Sequence, residues 1–134
     1  MPTFSRVLDS WAVVAFLQHE PAASEVESLI REAHATGVAL WITVVNLGEI
    51  WYTIARNRSS SRADGAVEEI LALGLRVRDA DWNLTREAAR LKAHYRLSYA
   101  DCFAAALARQ LGAELVTGDP EFRRLAEEVR IRWL

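Results

Sequence analysis

The chain has 134 residues, of which 51% are hydrophobic and 25% charged. That length fits one domain, and that composition supports a packed core and excludes wholesale disorder. The formal net charge of −2 argues against binding nucleic acid through a broad basic surface, and the lone Cys102 excludes an intrachain disulfide framework or a four-cysteine zinc site.

In chain order, Phe4–Leu8 reads as a first strand that runs into Asp9 and Ser10. Trp11–Gln18 reads as a short helix, stopped by His19, Glu20 and Pro21. Ala22–Thr36 is a second helix with Val26, Leu29, Ile30 and Ala33 on one face, and Gly37 terminates it. Val38–Thr43 is a strand, and Asn46–Arg58 a helix whose apolar stripe is Leu47, Ile50, Trp51 and Ile54. The polar segment from Arg56 to Arg62 reads as a loop, Asp64–Leu73 as a helix closed by Gly74, and Leu75–Arg78 as a short strand. Leu84–Tyr95 and the alanine-rich Tyr99–Leu111 are helical, and Gly112 ends the second. Glu114–Thr117 is a strand, Pro120–Glu128 a helix capped by Asp119, and Val129–Leu134 a last strand. No apolar run approaches the roughly 20 residues that cross a bilayer, and no leader-peptide pattern opens the chain. The expectation is a cytoplasmic protein with no membrane association. Strands alternating with helices predict an α/β fold with a mostly parallel sheet, as one domain over residues 1–134.

In such a sheet, sites form beyond the carboxyl ends of the strands. Asp9 directly follows the first strand, and Asp119 follows Leu115-Val116-Thr117 by one glycine. Glu49 lies in the first turns of the helix after the second strand. It shares a face with Val45, Tyr52 and Arg56, offset from the apolar stripe. Asp101 lies at the start of the alanine-rich helix. Carboxylates brought together repel and raise each other's pKa. No lysine lies near them in the sequence, so a hard divalent cation such as Mg²⁺ is the natural counter-charge. Taken singly, Asp9, Asp101 and Asp119 also fit the ordinary role of helix N-caps.

The same residues resemble the motifs of PIN-domain ribonucleases. Val7-Leu8-Asp9-Ser10 with Ala12–Leu17 is similar to the first motif, and Asn46-Leu47-Gly48-Glu49-Ile50 to the second. Leu97–Ala106, around Asp101, is similar to the third, and Ala113–Phe122, around Asp119, to the fourth. Size and the short helix after the first motif resemble the VapC-like toxins of prokaryotic toxin–antitoxin pairs. The resemblance implies a three-layer α/β/α sandwich and a metal-dependent endoribonuclease using Mg²⁺ or Mn²⁺. It implies a homodimer and a VapB-like antitoxin that inhibits by occupying the active-site groove. It also implies Asp9, Glu49, Asp101 and Asp119 as the metal-binding catalytic quartet, with Ser10 and Thr117 as supporting hydroxyls. Glu121 is a substitute ligand or a residue that favours the helix dipole.

Arg56, Arg58 and Arg62 are candidates for RNA phosphate contacts, or else a solvated helix end. Trp11 is a candidate for base stacking or for core and interface packing. Trp41 is expected in the core, and Asp79 and Asp81 as turn or cap residues. His19, His34 and His94 are expected at the surface, and Cys102 in the core. A receiver or haloacid-dehalogenase domain is rejected: Trp11 stands where the latter needs a second aspartate, and Lys92 is not at a strand end. The surviving alternative is a catalytically inert PIN-like module that binds RNA or protein.

Overall fold

A computed structural model describes residues 4–134. The strands are β1 (Arg6–Leu8), β2 (Leu40–Thr43), β3 (Arg76–Arg78), β4 (Glu114–Thr117) and β5 (Arg130–Trp133). They form one five-stranded sheet in the order β3-β2-β1-β4-β5, and every pairing is parallel. Leu8 lies opposite Val116, and Thr43 opposite Arg78. The direction of winding reverses between β1 and β4, which opens a crevice where the chain leaves those two strands.

Alternation along each strand sends side chains to two cores. Leu8, Leu40, Ile42 and Val116 pack under α1 (Ser10–Leu17), α2 (Ala23–Thr36), α3 (Val44–Asn57) and α4 (Ser60–Ala72). Val7 and Leu115 pack on the other face, under α5 (Trp82–His94), α6 (Tyr99–Leu111) and a short 3₁₀ helix, Pro120–Leu125. The result is the expected three-layer α/β/α sandwich. Helix α6 is buried all round from Cys102 to Ala108, and its alanines let it lie close to the sheet. Among the described residues, no helix is long and apolar enough to cross a membrane.

Several expectations change in detail. The polar segment from Arg56 to Arg62 is mostly helical, because α3 runs to Asn57 and α4 begins at Ser60. Ser59 makes this possible by accepting the Arg62 N–H as N-cap (3.1 Å). Trp51 leaves the sheet side of α3 and donates its indole N–H to Asp64 on α4 (2.9 Å). The helix after Asp119 is 3₁₀ and ends at Leu125. Trp41 is half-buried rather than core, with the Arg76 and Arg78 guanidinium groups 5.6 and 5.9 Å from its ring centre. Asp81 caps α5, Cys102 is buried, and the histidines are exposed, as expected.

Candidate functional site

Asp9 leaves the end of β1 with its backbone N–H still directed at the Val116 carbonyl of β4 (3.4 Å). Its side chain is 1% exposed. One carboxylate oxygen accepts the Ala12 N–H and caps α1 (2.9 Å), and the other accepts the Thr117 hydroxyl (2.5 Å). Thr117 Oγ1 in turn accepts the Asp119 N–H (3.0 Å). A chain of hydrogen bonds thus couples the acids that follow β1 and β4. Asp119 caps the 3₁₀ helix through Oδ1, which accepts the Glu121 N–H (2.9 Å). The capping role therefore holds for Asp9 and Asp119 without consuming all their acceptor capacity. It does not hold for Asp101, because the cap of α6 is Ser98, whose hydroxyl accepts the Asp101 N–H (3.1 Å). The Asp101 carboxylate is thereby free of capping duty.

One carboxylate oxygen from each of Asp101, Asp119 and Glu121 lies within 4.8 Å of the others. A cleft of about 360 Å³ runs over this ground and is lined by Ser10, Trp11, Glu49, Tyr52, Asp101 and Asp119, among others. Burial raises the Asp9 pKa to about 7, and the Asp101 and Asp119 charges add to the rise against the opposing Thr117 and Ala12 hydrogen bonds. Burial likewise raises Asp101 to about 6, reinforced by Asp119, Glu49 and Glu121 and opposed by Ser98. The four acids expected from the sequence are therefore brought into one electrostatic group, and Glu121 joins them. Among the described residues, none of these carboxylates is ion-paired to a lysine, arginine or histidine.

Asn46 opens the stretch similar to the second motif, where the sequence gives it no role of its own, yet it is 0% exposed and ties the walls of the site together. Its side-chain oxygen accepts the Thr43 hydroxyl (2.5 Å), and its amide donates to Ser10 Oγ (3.3 Å) and to the Ala100 carbonyl (3.1 Å). Ser10 returns a hydrogen bond to the Asn46 carbonyl (3.3 Å). One amide thus fixes the end of β2 and the starts of α1 and α6, from which Glu49, Asp9 and Asp101 project. The nearest available clue is Thr43 three residues earlier, a threonine cap that also accepts the Asn46 N–H (3.0 Å).

Gly118 is a second residue whose role the sequence does not mark. A Cβ there would lie 2.2–2.7 Å from three atoms of the Trp11 ring. The indole therefore lies flush against the backbone between Thr117 and Asp119, and remains 38% exposed at the cleft rim. Tyr52 forms another part of the rim, with the Arg56 guanidinium 5.0 Å from its ring centre. Arg58 and Arg62 lie elsewhere, along a separate cleft of about 650 Å³ shared with Leu17, Ile54 and Glu69.

Fold and site together define a doubly wound α/β protein with a carboxylate-rich cleft at its switch point. The chain belongs to the PIN domain family, whose model matches residues 6–128. No curated protein sequence shows significant similarity to it. Its structural neighbours are VapC toxins of VapBC toxin–antitoxin systems. VapBC2 from Rickettsia felis, solved bound to a DNA fragment from the promoter, superimposes with a TM-score of 0.74 at 18% identity, covering 96% of this chain and 98% of that one. VapBC-1 from nontypeable Haemophilus influenzae gives 0.71 at 16% identity, covering 96% of each chain. VapC20 of Mycobacterium tuberculosis, a Sarcin-Ricin loop cleaving toxin, gives 0.69 at 19%, covering 93% and 96%.

Proposed function

We propose that this chain is a metal-dependent endoribonuclease, a single PIN domain acting as the VapC-type toxin of a toxin–antitoxin pair. The reading rests on one observation: Asp9, Glu49, Asp101, Asp119 and Glu121 converge without an internal cation. Carboxylates clustered in this way are costly to ionise together until positive charge is added, and burial raises the pKa of Asp9 and Asp101. The donor set is all carboxylate oxygen, which suits Mg²⁺ or Mn²⁺ and not a soft metal. Asp101, Asp119 and Glu121 are the residues that would hold the ion, with Asp9 behind them. A bound divalent ion supplies charge neutralisation and activation of water for in-line attack on a phosphodiester.

The chain's own residues do the rest. Asp9 is kept in orientation by Thr117 and the Ala12 N–H, and Ser10 is kept so by Asn46. Glu49, on the cleft wall, accepts a hydrogen bond from the attacking water and so aims its oxygen at phosphorus. The leaving group is the 3′ oxygen, and the product carries a 5′-phosphate. Arg56, at the rim beside Tyr52, is placed to meet a substrate phosphate, while Arg58 and Arg62 would act only on RNA that reaches the neighbouring cleft. The toxin reading carries with it a homodimer, a VapB-like antitoxin and a cytoplasmic location.

The test is a metal titration. Chelated protein is incubated with RNA, and Mg²⁺ or Mn²⁺ is then added. Cleavage that appears with either ion and leaves 5′-phosphate ends is expected. RNA that binds but stays intact at every metal concentration would establish the inert-module alternative.

A further inference from the structure

The connection between α5 and α6 carries a cleft of about 550 Å³, lined in part by Lys92, His94, Arg96, Ser98 and Glu121. It adjoins the acidic cleft, because Ser98 lines both and Glu121 belongs to the clustered carboxylates. Lys92 Nζ donates to the Leu97 carbonyl (2.6 Å), which holds the connection and leaves two of its three N–H groups free. Arg124 donates to the Arg96 carbonyl, so a third cation reaches the same segment. Among the described residues, Lys92, Arg96 and Arg124 form no ion pair, whereas Arg90 and Arg109, on the two helices flanking this connection, are each paired with both Glu87 and Glu128.

An acidic cleft repels a polyanion, so an RNA strand needs cations beside the site of cutting. Unpaired lysine and arginine at the mouth of that site meet the need, since phosphate contacts position nucleic acid without reading sequence. We propose that this cleft is the backbone-binding track for the RNA strand flanking the scissile phosphate, with Lys92 and Arg96 as its phosphate-binding side chains. The proposal rests on the ribonuclease reading and adds to it the route of the substrate. It differs from the sequence-based candidates, of which only Arg56 contacts a residue lining the acidic cleft, Tyr52.

The experiment compares the wild type, Arg96→Gln, the double variant Lys92→Gln/Arg96→Gln, and Arg31→Gln as an exposed cation on α2. Each is assayed with a labelled single-stranded RNA oligonucleotide in Mg²⁺ over a range of KCl concentrations. Binding of the same oligonucleotide is followed by fluorescence anisotropy in an Asp101→Asn background, where cutting is blocked. The double variant should raise both KM and Kd about 10-fold with kcat little changed. Its slope of log Kd against log salt should fall by about 0.7 for each phosphate that is no longer neutralised. Arg96→Gln alone, which leaves the Lys92 and Arg124 hydrogen bonds in place, should show part of each effect, and Arg31→Gln neither. Unchanged KM and salt slope in Arg96→Gln and the double variant would overturn the proposal and leave the cleft to a protein partner. A wild-type protein that neither binds nor cuts RNA would overturn the ribonuclease reading itself, a result recognisable before any variant is compared.

Discussion

Glu87 and Glu128 sit beside Arg90 and Arg109, whereas Asp9 and Asp101 face other carboxylates. In the first group Glu87 accepts from Arg90 (2.9 Å) and Arg109 (2.8 Å), and Glu128 accepts from Arg109 (2.7 Å), Arg90 (3.3 Å) and Tyr95 (3.0 Å). Hydrogen bonds to the arginines hold both carboxyl groups below their ordinary pKa. That network is closed, and it clamps α5, α6 and the approach to β5. The second group has burial and like charge in place of arginines, so its pKa values move the opposite way. Both are clusters of acids, and only the one lacking an internal counter-charge has a charge imbalance that a metal ion can relieve.

The largest consequence is a double dissociation. Asp101→Asn should lower RNA cleavage by about 10³-fold or more while leaving the melting temperature unchanged or raised, because a like-charge repulsion is removed. Glu87→Gln should leave cleavage near the wild-type rate and lower stability by about 1 kcal/mol, a modest figure because the network is part-exposed. Cleavage rates and denaturant titration on the same preparations check both. Equal cleavage by Asp101→Asn and wild type would remove Asp101 from the site.

The two groups should also pull stability in opposite directions with pH. Asp9 ionises near 3.8 in the unfolded chain and near 7 when folded. Below 3.8 both states carry the proton and Asp9 imposes no penalty. Between those values the unfolded state alone ionises, so stability falls as pH rises, and the loss is complete above about 7. Its size is on the order of a few kcal/mol, with Asp101 adding to it up to about pH 6. Glu87 and Glu128 act the other way: their stabilisation is present above the usual carboxylate range and fades as pH drops through their lowered values. Thermal melts in chelator should therefore decline from about pH 4 to pH 7, and Mg²⁺ at pH 7 should restore the midpoint by preferential binding to the folded state. Asp9→Asn should flatten that decline. A melting temperature that climbs steadily over the same interval in chelator would contradict the burial of an uncompensated Asp9.

Much of this layout is readable from the chain. Asp9 stands out because it breaks an apolar strand at a helix start, and Asp119 because a glycine and a proline frame it after another strand. Those signals are local. Glu121 is readable only as one of two alternatives, since its approach to Asp101 depends on the 3₁₀ form of the segment and on how α6 lies against β4. Strand order is likewise hidden, because alternation identifies a strand but not its neighbours. The stretch around Ser59 misleads for a different reason: a polar run resembles a loop, yet a serine cap starts a helix within it. Asn46 is legible as the first residue of the second motif but its role is not, since an asparagine in an apolar run has no periodicity of its own.

Asn46 also offers the smallest and most discriminating effect. It bears no charge and touches no carboxylate in the cleft, yet its amide holds the segments from which Asp9, Glu49 and Asp101 arise. Asn46→Ala would leave the Ala100 carbonyl and the Ser10 and Thr43 hydroxyls without that partner inside the protein, at a cost of about 2 kcal/mol. If the amide only filled space, stability would be the sole loss, and cleavage measured well below the lowered melting temperature would match wild type. If it fixes the geometry, kcat should drop by about 10-fold at an unchanged KM, the range expected when supports behind metal-binding side chains are removed. The metal concentration needed for half-maximal cleavage should rise with it. Asn46→Asp distinguishes the two further: it keeps the acceptor for Thr43, loses both donors, and adds negative charge to a group that already lacks a cation. Its activity should therefore fall below that of Asn46→Ala, although its side chain is closer in size to the original.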